Sequence, residues 1–186
     1  PSLTIFRLDQ QSDRAKAIAA LGPSDVLVCS YGLLAREAEP LSEVAFDTVV
    51  FDEAHMLKNA GTQRAKAARA LQAQFRLSLT GTPIENHVGE LWSLMEATVP
   101  GLLGTAQGFN RRFAQPIADG DPERVETLRA LVRPFMLRRT KEQVLGELPP
   151  RTETTLVVSP EPKERAFYEA LRQHALQQLE FAGSKT

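Results

Sequence analysis

Four short apolar runs, Leu3 to Leu8, Val26 to Ser30, Thr48 to Asp52 and Arg76 to Thr80, alternate with stretches whose hydrophobic residues recur at helical spacing. The runs are short and partly β-branched, as strands require. Ser12 is placed to cap a helix running to Leu21, and Thr62 to cap another running to about Ala73. Strands that alternate with helices are joined by right-handed crossovers, which makes the sheet mainly parallel and the class α/β. The apolar run Val49, Val50 and Phe51 before Asp52 predicts a strand covered on both faces.

Beyond Pro83 the pattern becomes wholly helical. From Glu85 to about Gly146, Leu91, Leu94, Met95 and Thr98 share one face, and Phe109, Phe113 and Ile117 share another. Asp121 and Pro122 form a cap followed by proline at the first helical position, opening a helix through Leu128 and Leu131. Thr140 opens a short helix that Gly146 stops. Thr152 to Val158 reads as an isolated fifth strand, and Pro160 and Pro162 mark a break before a helix from about Lys163 to Phe181. The expected division is residues 1–84 for the sheet, 85–148 for a helical excursion and 149–186 for a connector.

Composition narrows the classes. With 42% hydrophobic and 24% charged residues and a formal net charge of -1, the chain is ordinary for a soluble globular protein, so any nucleic-acid contact must come from local patches. No stretch approaches the roughly 20 apolar residues that cross a bilayer, no leader opens the chain, and no membrane partner is expected. The single cysteine, Cys29, follows Val26, Leu27 and Val28 and is expected to be a buried strand thiol, which fits an intracellular setting. His55, His87 and His174 lack the Cys or His neighbours of a zinc site.

Chemistry concentrates at two strand ends. Asp52 and Glu53 place adjacent carboxylates where a parallel strand stops, the edge at which open α/β sheets bind ligands. Hydrolysis of a nucleoside triphosphate needs one group to hold magnesium and another to orient the attacking water. Asp52 suits the metal, through water because magnesium dehydrates reluctantly, and Glu53 suits the water. The plainer alternative is that both acids only favour the N-terminus of a following helix. At the next strand end, Thr80, Gly81, Thr82 and Pro83 offer two hydroxyls and a flexible glycine, able to hydrogen-bond to His55 or Glu53 and relay the state of a phosphate. An ordinary strand-to-turn transition is the alternative.

These motifs, with Met56 to Asn59, Leu77 to Asn86, Glu90 to Leu94, Phe135 to Lys141 and Leu148 to Glu153, closely resemble the Swi/Snf family of ATPases within helicase superfamily two. Asp-Glu-Ala-His RNA helicases usually carry Ser-Ala-Thr as their second motif and fit less well. The resemblance implies part of a two-lobed motor that uses ATP and Mg2+ to move along double-stranded DNA without separating its strands, and so to remodel a DNA-bound protein complex. It implies an incomplete RecA-like lobe with a helical protrusion and a connector toward a second lobe. It makes Asp52, Glu53 and His55 motif II, and Thr80, Gly81 and Thr82 motif III. Ser30 and Tyr31 match a strand-end segment that touches the DNA backbone.

One family element has no counterpart in this sequence. The phosphate-binding Gly-Lys-Thr loop is missing, and Gly183 to Thr186 has the wrong spacing and no preceding strand. The chain is therefore expected to begin inside the first lobe, to end before the second, and to lack turnover by itself. Lys58, Asn59, Arg138, Arg139 and Lys141 are the remaining candidates for DNA contact. Between Arg133 and Arg151 five basic residues face two acids, which is either a solvated face or a phosphate-binding patch. Trp92 is expected in a core rather than as a base-stacking platform. A different class remains open: a degenerate lobe that serves as a protein-interaction scaffold.

Overall fold

The computed structural model describes residues 2–140, Gln143 and residues 154–183. It falls into two compact units, Pro1–Leu137 and Arg138–Thr186. In the first unit, β1 (Thr4–Arg7), α1 (Arg14–Ala19) and β2 (Asp25–Val28) precede α2 (Tyr31–Arg36) and α3 (Ala38–Ser42). Then come β3 (Ala45–Phe51), a 3-10 turn (Ala54–Leu57), α4 (Gln63–Ala70) and β4 (Gln72–Ser78). The helical region holds α5 (Gly89–Thr98), α6 (Ala106–Phe109) and α7 (Gln115–Ala118), the last two joined by a π turn, and α8 (Pro122–Val132).

Pairing is parallel, as the alternation predicts, in two separate pairs. Thr4 lies opposite Asp25 in β1–β2, and Ala45 opposite Gln72 through Phe51 opposite Ser78 in β3–β4. The mixed α/β fold with parallel strands is therefore as expected, but β3 is not covered on both faces. Phe51 is buried while Val50 is 52% exposed, and Phe75, Leu77 and Leu79 of the neighbouring segment lie open with it. Among the described residues, Val50, Phe75 and Leu77 stay open on one face of β3–β4, while Phe51 joins the core.

Leu8, Ile18, Leu33, Leu41, Phe51, Leu57 and Ala68 form the core beneath the strands. A second cluster gathers Phe109, Phe113, Leu128 and Val132, with the Phe109 and Phe113 rings 5.5 Å apart. α5 serves both: Leu94 and Ala97 enter the first core, Leu91 and Met95 the second. Trp92, half-buried against the second cluster, donates its indole N–H to the Gly104 carbonyl at 2.9 Å.

Element ends moved where tertiary packing outweighed local preference. Asp13, not Ser12, caps α1 by accepting the Lys16 N–H, since either residue type caps well and the chain path selects between neighbours. Thr62 caps α4 as expected, but the helix stops at Ala70 because Gln72 already pairs in β4. The short helices α2 and α3 went unpredicted; burial of Leu33, Leu34 and Leu41 holds them. Cys29 lies one residue past β2 and is exposed, which corrects the expected buried strand thiol; local desolvation still raises its pKa.

In the second unit, α9 spans Pro162–Gly183 and exposes Phe167, Tyr168 and Leu171. Residues 154–158 form no strand, against expectation. Thr140 and Gln143 exchange side-chain to main-chain bonds of 2.9 and 3.4 Å, while Lys141, Gly146 and residues 149–153 lie outside the described residues. Among the described residues no helix is long and apolar enough to cross a membrane.

Candidate nucleotide-hydrolysis site

β3 ends at Phe51, and the ladder continues beyond it: Leu79 N–H donates to the Phe51 carbonyl and Ala54 N–H to the Leu79 carbonyl, each at 2.9 Å. Those two bonds bring Asp52 and Glu53 beside the segment that opens with Thr80. Asp52 is exposed, and its Oδ1 accepts the Glu53 N–H at 2.9 Å, leaving the rest of the carboxylate open to solvent. That is a carboxylate able to hold a hydrated magnesium ion, which binds proteins through few carboxylates and several waters.

Glu53 adopts φ 48° and ψ 48°, the left-handed region, and is the one non-glycine residue with positive φ among those described. Such a conformation costs about 1 kcal/mol for a residue with a Cβ and recurs where a side chain must be aimed. It separates the two acids: Asp52 bonds the adjoining peptide, while Glu53 Oε2 lies 3.1 Å from His55 Nδ1.

Tyr31, expected at the DNA backbone, donates its hydroxyl to the Asp52 carbonyl at 2.7 Å. Burial, then the charges of Asp52, Cys29 and Glu53, pushes its phenol up to about 12. Ser30 accepts the Leu33 N–H at 3.3 Å and caps α2. Asn59 stays within its own turn, accepting the Gly61 N–H at 3.0 Å.

The turn after β4 differs from expectation in its contacts. Thr80 Oγ1 accepts the Thr82 N–H at 3.2 Å, and Thr82 donates its hydroxyl to Glu85 at 2.8 Å. Among the described residues neither hydroxyl reaches His55 or Glu53. The link to the acid loop runs through Lys58 instead, whose Nζ lies 2.9 Å from Glu85 Oε1 and 3.6 Å from Glu90 Oε2. Lys58 is 9% exposed, and its charge faces these two carboxylates. Lys58 and Thr82 hold Glu85 below the usual carboxylate range.

Glu90 and Asn86 were missed. A signal existed: Glu90, Leu94 and Ala97 fall on one helical face, which places a carboxylate on a buried stripe. Burial raises the Glu90 pKa, but the Glu85 N–H, the two Asn86 donors and the Lys58 charge prevail and lower it to about 2. Arg138 and Arg139 are exposed in the second unit, and Lys141 lies outside the described residues.

The profile of the SNF2-related domain matches residues 1–186. The TATA-binding protein-associated factor mot1 of Schizosaccharomyces pombe is 41% identical over 152 residues, which is 75% of this chain and 8% of that protein. The putative ATP-dependent helicase/translocase YwqA of Bacillus subtilis is 40% identical over 151 residues, 80% of this chain and 16% of that protein. In three dimensions the chain resembles the Sulfolobus solfataricus SWI2/SNF2 ATPase core in complex with dsDNA. The TM-score is 0.67 and the identity 36%, covering 96% of this chain and 37% of that one.

Proposed function

The chain belongs to the SNF2-related domain family, and we propose that it supplies the hydrolytic acid pair and the coupling turn of an ATP-dependent motor that translocates on double-stranded DNA and remodels DNA-bound complexes. The observation that supports this reading is the two-bond ladder from Phe51 and Ala54 to Leu79, which brings Asp52 and Glu53 beside the segment that opens with Thr80. The chain spans 8% and 16% of the two curated relatives, so the reading concerns a longer protein in which this segment works with a phosphate-binding loop and a second lobe. The likeness to a SWI2/SNF2 ATPase core in complex with dsDNA supports the choice of partner.

Asp52 would hold the magnesium ion, and the Tyr31 bond to its carbonyl fixes where its main chain lies. Magnesium, when bound, offsets charge on the β and γ phosphates. Glu53 orients the attacking water and takes its proton as the bond from the γ phosphorus to the bridging oxygen breaks, giving ADP and phosphate. His55, 3.1 Å from Glu53, restrains that carboxylate. Thr80 to Thr82 carries the state of the site outward through Glu85 and Lys58.

The test is hydrolysis by the longer protein with and without duplex DNA, together with displacement of a third strand from a triplex. Duplex DNA is expected to stimulate hydrolysis, the third strand to be displaced without unwinding of the duplex, and Glu53→Gln to abolish both. Hydrolysis indifferent to DNA, or a fully active Glu53→Gln variant, overturns the reading.

A further inference from the structure

Charged side chains rarely enter a core unless paired and hydrogen-bonded. Two of them do so where α5 begins: Glu90 is 6% exposed and Lys58 9%. Glu90 Oε2 accepts the Glu85 N–H at 2.7 Å and the Asn86 N–H at 3.4 Å, while its Oε1 accepts from the Asn86 side chain at 2.9 Å. Those bonds fix the far end of the turn that starts at Thr80. Lys58 closes the network from the acid loop, lying between Glu90 and the Glu85 carboxylate that also accepts the Thr82 hydroxyl. One helical turn along α5, the buried Ser93 hydroxyl donates to the Leu57 carbonyl at 2.6 Å. α5 therefore grips both segments, by a carboxylate on one and by a hydroxyl on the residue before Lys58.

We propose that Glu90 and Lys58 are positioning residues that lock the Thr80–Asn86 turn to the Asp52–Lys58 loop, so that the two motifs move as one body and drive α5 with them. A carboxylate satisfied by three N–H donors and a cation has one good geometry, since each bond lost would leave a buried charge short of a partner. The turn cannot shift alone without breaking the Glu90 bonds, and the loop cannot shift alone without unpairing Lys58. The catalytic consequence rests on the ATPase reading above; the mechanical coupling rests on these contacts alone.

The experiment compares Glu90→Gln and Lys58→Met in the longer motor protein with Leu128→Ala, which removes a buried side chain from the second cluster. Steady-state hydrolysis and amide hydrogen exchange are both read. DNA-stimulated kcat should fall by roughly tenfold, as when a residue that orients a catalytic ligand is removed. KM for ATP should stay within about twofold. Lys58→Arg should retain most of the stimulated rate. In both charge variants the Glu85 and Asn86 amides should exchange faster together with those of Met56 and Lys58, and in Leu128→Ala they should not. Should Glu90→Gln not fold, Asn86→Ala removes part of the same clamp and should give both changes at smaller amplitude. An unchanged kcat in folded variants, a loss that merely tracks thermal stability as in Leu128→Ala, or faster exchange confined to one segment overturns the coupling. If the wild-type protein shows no DNA-stimulated hydrolysis, the ATPase reading falls, and exchange alone decides: joint acceleration upholds the coupling, separate acceleration removes it.

Discussion

The Tyr31 hydroxyl donates to the main-chain carbonyl of Asp52 at 2.7 Å, tying the first residue of α2 to the acid that follows β3. Because burial and the nearby carboxylates push the phenol up to about 12, it remains a donor across the whole neutral range. Tyr31→Phe should cost about 1 kcal/mol of unfolding free energy, the net worth of one such bond, measured by urea denaturation. The raised pKa also sets a sign. Stability from this group is fully present below about pH 10, the usual phenol value, and is lost as pH rises through about 12. Tyr31→Phe should remove that alkaline loss.

Asp52 and Glu53 should separate in their kinetics. Glu53→Gln in the longer protein is expected to slow hydrolysis by two or more orders of magnitude, on the order of 3 kcal/mol in the barrier, while magnesium-dependent ATP binding persists. Asp52→Asn should weaken that binding together with turnover. Nucleotide affinity with and without magnesium, alongside single-turnover rates, checks both. The reverse pattern would exchange the two roles.

The left-handed backbone at Glu53 predicts a trade between stability and function. Glu53→Gly should keep or raise unfolding free energy, by up to about 1 kcal/mol, because glycine carries no Cβ penalty there, while removing hydrolysis. Thermal unfolding of Glu53→Gly beside Glu53→Ala, which relieves nothing, is the measurement. A less stable glycine variant would show that the conformation stores no strain.

Acid should weaken the α5 clamp in a defined window. The Glu90 pKa is lowered to about 2, so its contribution is fully present above about pH 4.5, the ordinary glutamate value, and is lost as pH falls through about 2. Lys58→Met, which leaves the buried carboxylate without its cation, should cost about 3 kcal/mol at neutral pH. It should also shift the onset of acid unfolding upward, as followed by circular dichroism.

The exposed strand face should make the chain self-associate when produced alone. Val50, Phe75 and Leu77 are 52%, 58% and 39% exposed on neighbouring strands, a contiguous apolar surface of the kind soluble monomers avoid. Val50→Lys with Phe75→Lys should lower the sedimentation coefficient at a given concentration. No change would mean that this face does not mediate association.

The sequence alone determined the alternation of strands and helices, the parallel pairing, the caps at Thr62 and Asp121, and the two motifs at successive strand ends. Each of these is written in residues within a few positions of one another, where spacing and side-chain type suffice. Tertiary structure decided the rest. Lys58 reads as a free cation until Glu85 and Glu90, far along the chain, bury it. Ser30 and Tyr31 read only as a strand-end pair until α2 forms and carries the Tyr31 hydroxyl to Asp52. Val50 reads as covered until the assembled layers, among the described residues, leave it 52% exposed. In each case the partner comes from an element distant in sequence, and burial is a property of the assembled layers that no local pattern contains.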